Sequence, residues 1–391
     1  MKETIAILNR ETNGSKKWNR EYINHRFRLK DDNMIYPLFI ADMDYRHSDQ
    51  LLDEIKAVVA DDDFGYFDLQ PAYYQSIQDW YRKIHDIDIN KDWIIAANGT
   101  IAALHMAAHC ISKDDNYLML TPVYGVFKAL ADGFGTRYEM PLGTDEENQY
   151  FIDFNLFESM IVDNEIGTLL FCNPHNPSGK VWCYEDLKIL VEICKKHDVK
   201  IFSDEIHADF TWNKSFVSLV EFHDIYDKIL VSTSPNKSFN TSGLTTSYLL
   251  CPFKPWKEKI EDTLRLFHIS VNRMGAEVSR IVYESGETWL NDIKEIIWKN
   301  ITFVSEICHD AGLKVIAPES GYLVWISGEK LKDVDTYVQN LSYETGVLLE
   351  TGSRFISNFN SHLRINVATD PKLLKEAMIL FTNHYKNYKG E

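Results

Sequence analysis

From about residue 50 the chain alternates helical stripes with short unbroken apolar runs. Leu51, Leu52, Ile55, Val58 and Val59 share one helical face, and Tyr73, Ile77, Trp80, Tyr81 and Ile84 share another that begins after Pro71. The runs at 93–97, 117–120, 168–172, 200–203 and 228–231 are too short and too uniformly apolar for amphipathic helices, and the stretches 101–111, 124–131 and 185–197 between them carry the helical period. Buried strands separated by helices predict an α/β fold: a mostly parallel sheet covered by helices on both faces. Near residue 255 the organisation changes. A helix at 255–268 and a long helical region from 272 to about 311 lead into a tail with strands at 313–316, 322–326 and 363–367 and helices at 333–343 and 371–385. The first 48 residues are polar and irregular, with Trp18, Tyr22 and Phe27 spaced as anchors rather than as a stripe. The expected organisation is an arm over 1–48, belonging in part to a small domain, a large domain over 49–285 and a smaller α+β domain over 286–391.

Composition narrows the partners. A length of 391 residues at 45% hydrophobic content supports two domains, and a net charge of −17 with scattered basic residues argues against a nucleic-acid or anionic-membrane surface. Six cysteines without a CxxC pair or zinc-type spacing point to a reduced protein with no structural metal. The amino terminus lacks a signal-peptide core, and no apolar run nears the roughly 18 residues of a membrane span, so a cytoplasmic protein is expected.

In a parallel sheet, ligands collect beyond the carboxyl ends of the strands. The polar loops that follow the apolar runs hold Gly99 and Thr100, Tyr124, Asn176, Asp204 and Lys237, so one rim can gather them all. Asn98-Gly99-Thr100 joins a strand to a helix, and free N–H groups at such a start attract anions. Lys237 follows a buried run and lies among Ser234, Asn236, Ser238 and Asn240, a setting suited to an amine that condenses with a phosphate-bearing aldehyde. Each residue has a plainer alternative: a solvated loop lysine, an Asp that caps a helix, a core tyrosine at 124, a histidine at 207 packed under the sheet, an arginine at 364 in a surface ion pair.

Four stretches in this order carry a resemblance: Cys172-Asn173-Pro174-His175-Asn176-Pro177-Ser178-Gly179, Ser203-Asp204-Glu205-Ile206-His207, Lys237 within Ser-Pro-Asn-Lys-Ser-Phe-Asn, and Leu363-Arg364-Ile365-Asn366. Together they resemble the aminotransferase class I/II superfamily of fold-type I pyridoxal 5'-phosphate (PLP) enzymes, over nearly the whole chain. The resemblance implies that Lys237 binds PLP as a Schiff base and that Asp204 keeps the pyridine nitrogen protonated. Asn176 and His207 would face the phenolic oxygen, and Tyr124 would stack on the ring. The N–H groups of Gly99, Thr100 and Ile101, with Ser234, would cradle the phosphate, and Tyr66 would reach it from the second subunit of a homodimer. Arg364 would grip the substrate α-carboxylate, with Asp42, Tyr124 and Asn176 beside the substrate. The chain departs from the commoner pattern at Thr245, where the family often has an arginine eight residues after the lysine.

A finer resemblance, to the MalY/PatB-type cystathionine β-lyase (C–S lyase) branch, rests on Ala41-Asp42-Met43-Asp44-Tyr45, Phe64-Gly65-Tyr66, Val123-Tyr124-Gly125 and Asp204-Glu205-Ile206-His207-Ala208-Asp209. It implies β-elimination from an S-substituted cysteine, with Lys237 as general base. Amino transfer to a 2-oxo acid is the alternative, since both use the same residues. A PLP-fold regulatory protein is a third expectation.

Overall fold

The computed structural model describes residues 5–30, 32–146, 148–356 and 361–389. These divide into two compact units, one of Ser48–Asn176 with Lys180–Leu290 and one of Met1–His47, Pro177–Gly179 and Asn291–Glu391.

In the larger unit the five runs become strands, joined by β3 and β7: β1 (Ile94–Ala97), β2 (Asn116–Thr121), β3 (Thr136–Pro141), β4 (Ile166–Cys172), β5 (Lys200–Asp204), β6 (Ile229–Thr233) and β7 (Ser247–Leu250). All five residues of β6 and six of the seven in β4 are buried, as strands covered on both faces must be. The sheet runs β1-β7-β6-β5-β4-β2-β3; only β7 lies antiparallel to its neighbours. Helices α1 (Asp49–Ala60), α2 (Pro71–Trp80), α3 (Thr100–Ile111), α4 (Val126–Phe134), α5 (Phe154–Asp163), α6 (Tyr184–Lys196), α7 (Lys254–Leu266) and α8 (Arg273–Ser285) complete the expected α/β architecture.

Three expectations need correction. The helical region from 272 is two helices, α8 and a second over Glu287–Asp310, with Gly286 between them. The edge strand β3 and the short β7 escaped notice, because β3 buries only Met140 and shows no alternation. The arm is not wholly irregular: Arg20–Arg26 is helical, capped by the Asn19 side chain.

The smaller unit holds an antiparallel sheet of Lys314–Ile316, Leu323–Ser327, His362–Asn366 and Glu350–Thr351, in that order. Tyr36–Pro37 pairs in parallel with Val347–Leu348. Asp44 stitches the early residues to the late ones. It is fully buried and accepts hydrogen bonds from Lys17 Nζ at 2.6 Å, Thr369 Oγ1 at 2.7 Å and Trp18 Nε1 at 3.0 Å. No helix among the described residues is long and apolar enough to cross a membrane.

Candidate active site

Register brings the larger unit's predicted residues together. Cys172 lies opposite Asp204, and Asp204 opposite Ser232, so three neighbouring parallel strands end side by side. Antiparallel β7 then sets Thr233 opposite Tyr248 and Ala97 opposite Ser247, which carries the row on to the start of α3. Ser232 Oγ donates to the Thr100 carbonyl at 3.0 Å, fixing that helix end against β6.

The start of α3 is shaped for an anion. Its N-cap is Gly99 at φ +84°, no side chain caps the first turn, and a Cβ built at Gly99 would meet nothing within 4 Å. The N–H groups of Gly99, Thr100 and Ile101 belong to a turn without intrahelical partners, at the positive end of the helix dipole. Ser234 is buried, and its Oγ accepts from the Asn236 N–H at 3.3 Å.

Lys237 is half-buried in a turn closed by the Phe239 N–H donating to the Pro235 carbonyl at 2.8 Å. Asn236 steadies the near side: its Nδ2 donates to the Thr246 carbonyl at 2.9 Å and its Oδ1 accepts from Thr241 Oγ1 at 3.0 Å. Asp204, at the end of β5, is buried, and burial pushes its carboxyl up to about 6, against the opposing pulls of the Ile206 N–H and the Lys237 charge. A carboxylate so desolvated, with an amine in range, gains by facing a protonated pyridine nitrogen. The residues thus fit PLP: an anion cradle at α3, an amine at 237 and a buried acid at 204.

Around these lies a supporting shell that the sequence did not reveal. Burial pushes the Glu205 carboxyl up to about 7, although it accepts from Ser218 Oγ at 2.6 Å, the Leu219 N–H at 3.0 Å, Asn173 Nδ2 at 3.3 Å and Ser203 Oγ at 3.1 Å. The Asn173 N–H donates to the Asp204 carbonyl at 3.0 Å, and the Asn176 N–H meets Cys172 Sγ at 3.4 Å, so the Asn-Pro-His-Asn loop is built onto β4 and β5. Asn176 and His207 are buried, Tyr124 is partly exposed between β2 and α4, and Tyr66 is fully exposed beside exposed Phe64. Arg273 tethers that loop through an ion pair with Asp63 at 2.8 Å. Thr245 lies on the surface with φ +51°.

The smaller unit has its own constellation. Arg364 is buried on its strand, donates to the Phe39 carbonyl at 3.1 Å and lies 3.9 Å from Glu350, which also binds Arg26 and Arg354. Asn366 Nδ2 donates to the Asp42 carbonyl at 2.7 Å, and the Asp42 and Arg364 charges both act on the buried Tyr322 hydroxyl. Arg10 grips the Asp42 carboxylate with two hydrogen bonds of 2.9 and 2.6 Å, a partner lying 32 residues away that no local motif announced.

A family model for aminotransferase class I and II matches residues 44–379. The chain is 26% identical to cystathionine beta-lyase PatB of Bacillus subtilis (strain 168) over 351 residues, covering 88% of this chain and 90% of that protein. It matches a PLP-bound protein of Clostridium difficile 630 with a TM-score of 0.90 at 29% identity, covering 97% and 98% of the two chains. Cystalysin from Treponema denticola, which contains a PLP cofactor, matches with a TM-score of 0.91 at 25% identity, covering 98% of each chain.

Proposed function

The chain belongs to the aminotransferase class I and II family, and from that premise we propose that it is a PLP-dependent carbon–sulfur β-lyase. It cleaves L-cystathionine or related S-substituted L-cysteines to a thiol, pyruvate and ammonia. The observation that carries this reading is Asp204, buried at its strand end in register with Ser232, whose hydroxyl bonds to the uncapped start of α3. Similarity along 88% of the chain to a protein named cystathionine beta-lyase favours elimination over amino transfer.

When bound, PLP supplies the conjugated sink for the electron pair left at the substrate Cα. Asp204 would hold a proton on the pyridine nitrogen and so keep that sink strong. Lys237 removes the Cα proton as general base. We assign the substrate α-carboxylate to Arg364, whose planar fork binds it through two parallel hydrogen bonds, with Asp42 beside the substrate. Asn176 and His207 would hold the phenolic oxygen, and Tyr124 would lie against the ring. The N–H groups of Gly99, Thr100 and Ile101, with Ser234, hold the phosphate. Departure of a thiolate from Cβ completes the elimination, and water hydrolyses the released 2-aminoacrylate to pyruvate and ammonia; a substrate without such a leaving group would be diverted to amino transfer.

We read the protein as a cytoplasmic homodimer in which Tyr66 completes the partner's phosphate site. Its full exposure within one chain supports the shared site. The large PLP-binding domain is assigned to 49–285, the arm, part of the small domain, to 1–48, and the rest of the small domain to 286–391.

The test supplies L-cystathionine to PLP-saturated protein and follows pyruvate and free thiol, with 2-oxoglutarate-dependent amino transfer measured in parallel. Thiol and pyruvate in equal amounts are expected. Amino transfer without thiol release would replace this reading with the aminotransferase one.

A further inference from the structure

Beside the lysine turn lies a buried network that the proposed chemistry does not use. Asp209, five residues after Asp204, is buried; its Oδ1 accepts from Trp80 Nε1 at 2.9 Å and lies 2.9 Å from His85 Nε2, while its Oδ2 accepts from Ser238 Oγ. Trp80 is the last residue of α2, and His85 closes a π-helical turn, Tyr81–His85, that continues it. Such turns are rare and cluster at functional sites. Burial opposes charge on Asp209, yet His85, Ser238 and Trp80 outweigh it and hold the carboxyl below its usual range. The other titratable groups around it are Tyr81, Tyr248 and Tyr283, with Glu221 in range of His85.

The same indole acts twice. Trp80 donates to Asp209 and packs edge-on against Phe239 with ring centroids 5.5 Å apart, and Phe239 is fully buried. The two residues after Lys237 are therefore seated on one Asp209–Trp80 unit, while Asn236, the residue before it, donates to the Thr246 carbonyl. The segment that bears Asp204 also bears Asp209, so a single turn sets the acid and, through Ser238, the lysine backbone. Its backbone is tied internally by the Ala208 N–H donating to the Glu205 carbonyl at 3.0 Å.

We propose that Asp209, clamped by Trp80 and His85, is a positioning residue for Lys237, acting through Ser238 to fix where the ε-amine stands relative to Asp204. This rests on the PLP reading above. A bonded carboxylate in a dry setting holds its partner more tightly than a neutral acceptor would.

The experiment uses PLP-loaded Ser238→Ala and Asp209→Asn proteins, with Ser238→Thr as the rescue. The pH midpoint of the visible absorbance band of lysine-bound PLP is titrated, and kcat and KM for L-cystathionine are measured beside Tm. We expect the midpoint to move by about one pH unit and kcat to fall about tenfold with KM unchanged. Ser238→Thr should return both toward wild type. Should one variant fail to fold, the other carries the test. A wild-type midpoint and kcat, with or without a lowered Tm, would overturn the proposal by showing that the network only stabilises. A wild-type protein with no visible band after PLP loading would overturn the PLP reading as well, a failure recognisable before any substitution is made.

Discussion

Replacing Asp204 with Asn should make the cofactor-free protein more stable and the enzyme much worse. The Asp204 carboxyl is raised from 3.8 to about 6 by burial, and at 1.36 kcal/mol per pH unit that corresponds to about 3 kcal/mol. A raised acid opposes folding once it ionises. The penalty is absent below the unfolded value of 3.8, grows between about pH 4 and 6, and is complete above that. Asparagine keeps the shape and can still accept from the Ile206 N–H. Urea unfolding of both apo proteins at several pH values should show equal stability near pH 4 and an advantage of about 3 kcal/mol for Asp204→Asn at pH 7. Turnover with PLP should fall on the order of a hundredfold, as when a single preorganised electrostatic group is lost from an active site. A stability difference that stays flat from pH 4 to 7 would refute the claim that this acid is held at a cost in energy. Near-normal turnover would refute its assigned job.

Arg364→Lys should lower kcat/KM by about tenfold or more, mainly through KM, because an ammonium cannot reproduce the two-pronged contact; steady-state kinetics check it. Tyr66→Phe should weaken PLP retention, and mixing it with Lys237→Ala subunits should restore some activity if sites are shared; no recovery in any mixture would count against sharing. Asp44→Asn should destabilise the protein by about 3–5 kcal/mol, since it leaves the Lys17 ammonium buried without its counter-ion. Burial pushes the Asp44 carboxyl up, but Lys17, Trp18 and Thr369 more than offset this and its net value is lowered. Its stabilisation is therefore present above the unfolded value of 3.8 and lost as pH falls through the depressed folded one. Thermal melts of wild type and variant should converge in acid.

Most of the central sheet was legible because its inner strands are buried on both faces, and short apolar runs bounded by polar residues have few other uses. The candidate rim was legible for a related reason: Gly99, Asn176, Asp204 and Lys237 each lie in a loop that follows one of those runs, so the order of strands and loops pointed to them. What stayed hidden depends on partners remote in sequence. Asp209 meets His85 across 124 residues and Ser238 across 29, and Asp42 meets Arg10 across 32. None of these pairs leaves a local pattern. The helix at Arg20–Arg26 buries only Ile23, so it lacked an apolar stripe. Strand β7 is four residues long and antiparallel, a direction that composition does not encode.

Asp44 bonding to Thr369, and the Tyr45 hydroxyl donating to the Thr369 carbonyl at 2.7 Å, have a consequence for biosynthesis. The residues translated before position 48 belong to the same unit as those translated after position 290. Residues 48–290, apart from the brief excursion at 177–179, can collapse while translation continues, but the arm must wait, its aromatic anchors unburied, until the strand ending at Asn366 emerges. Contacts so distant in sequence form late, and until they do the arm's aromatic anchors are an exposed, aggregation-prone stretch.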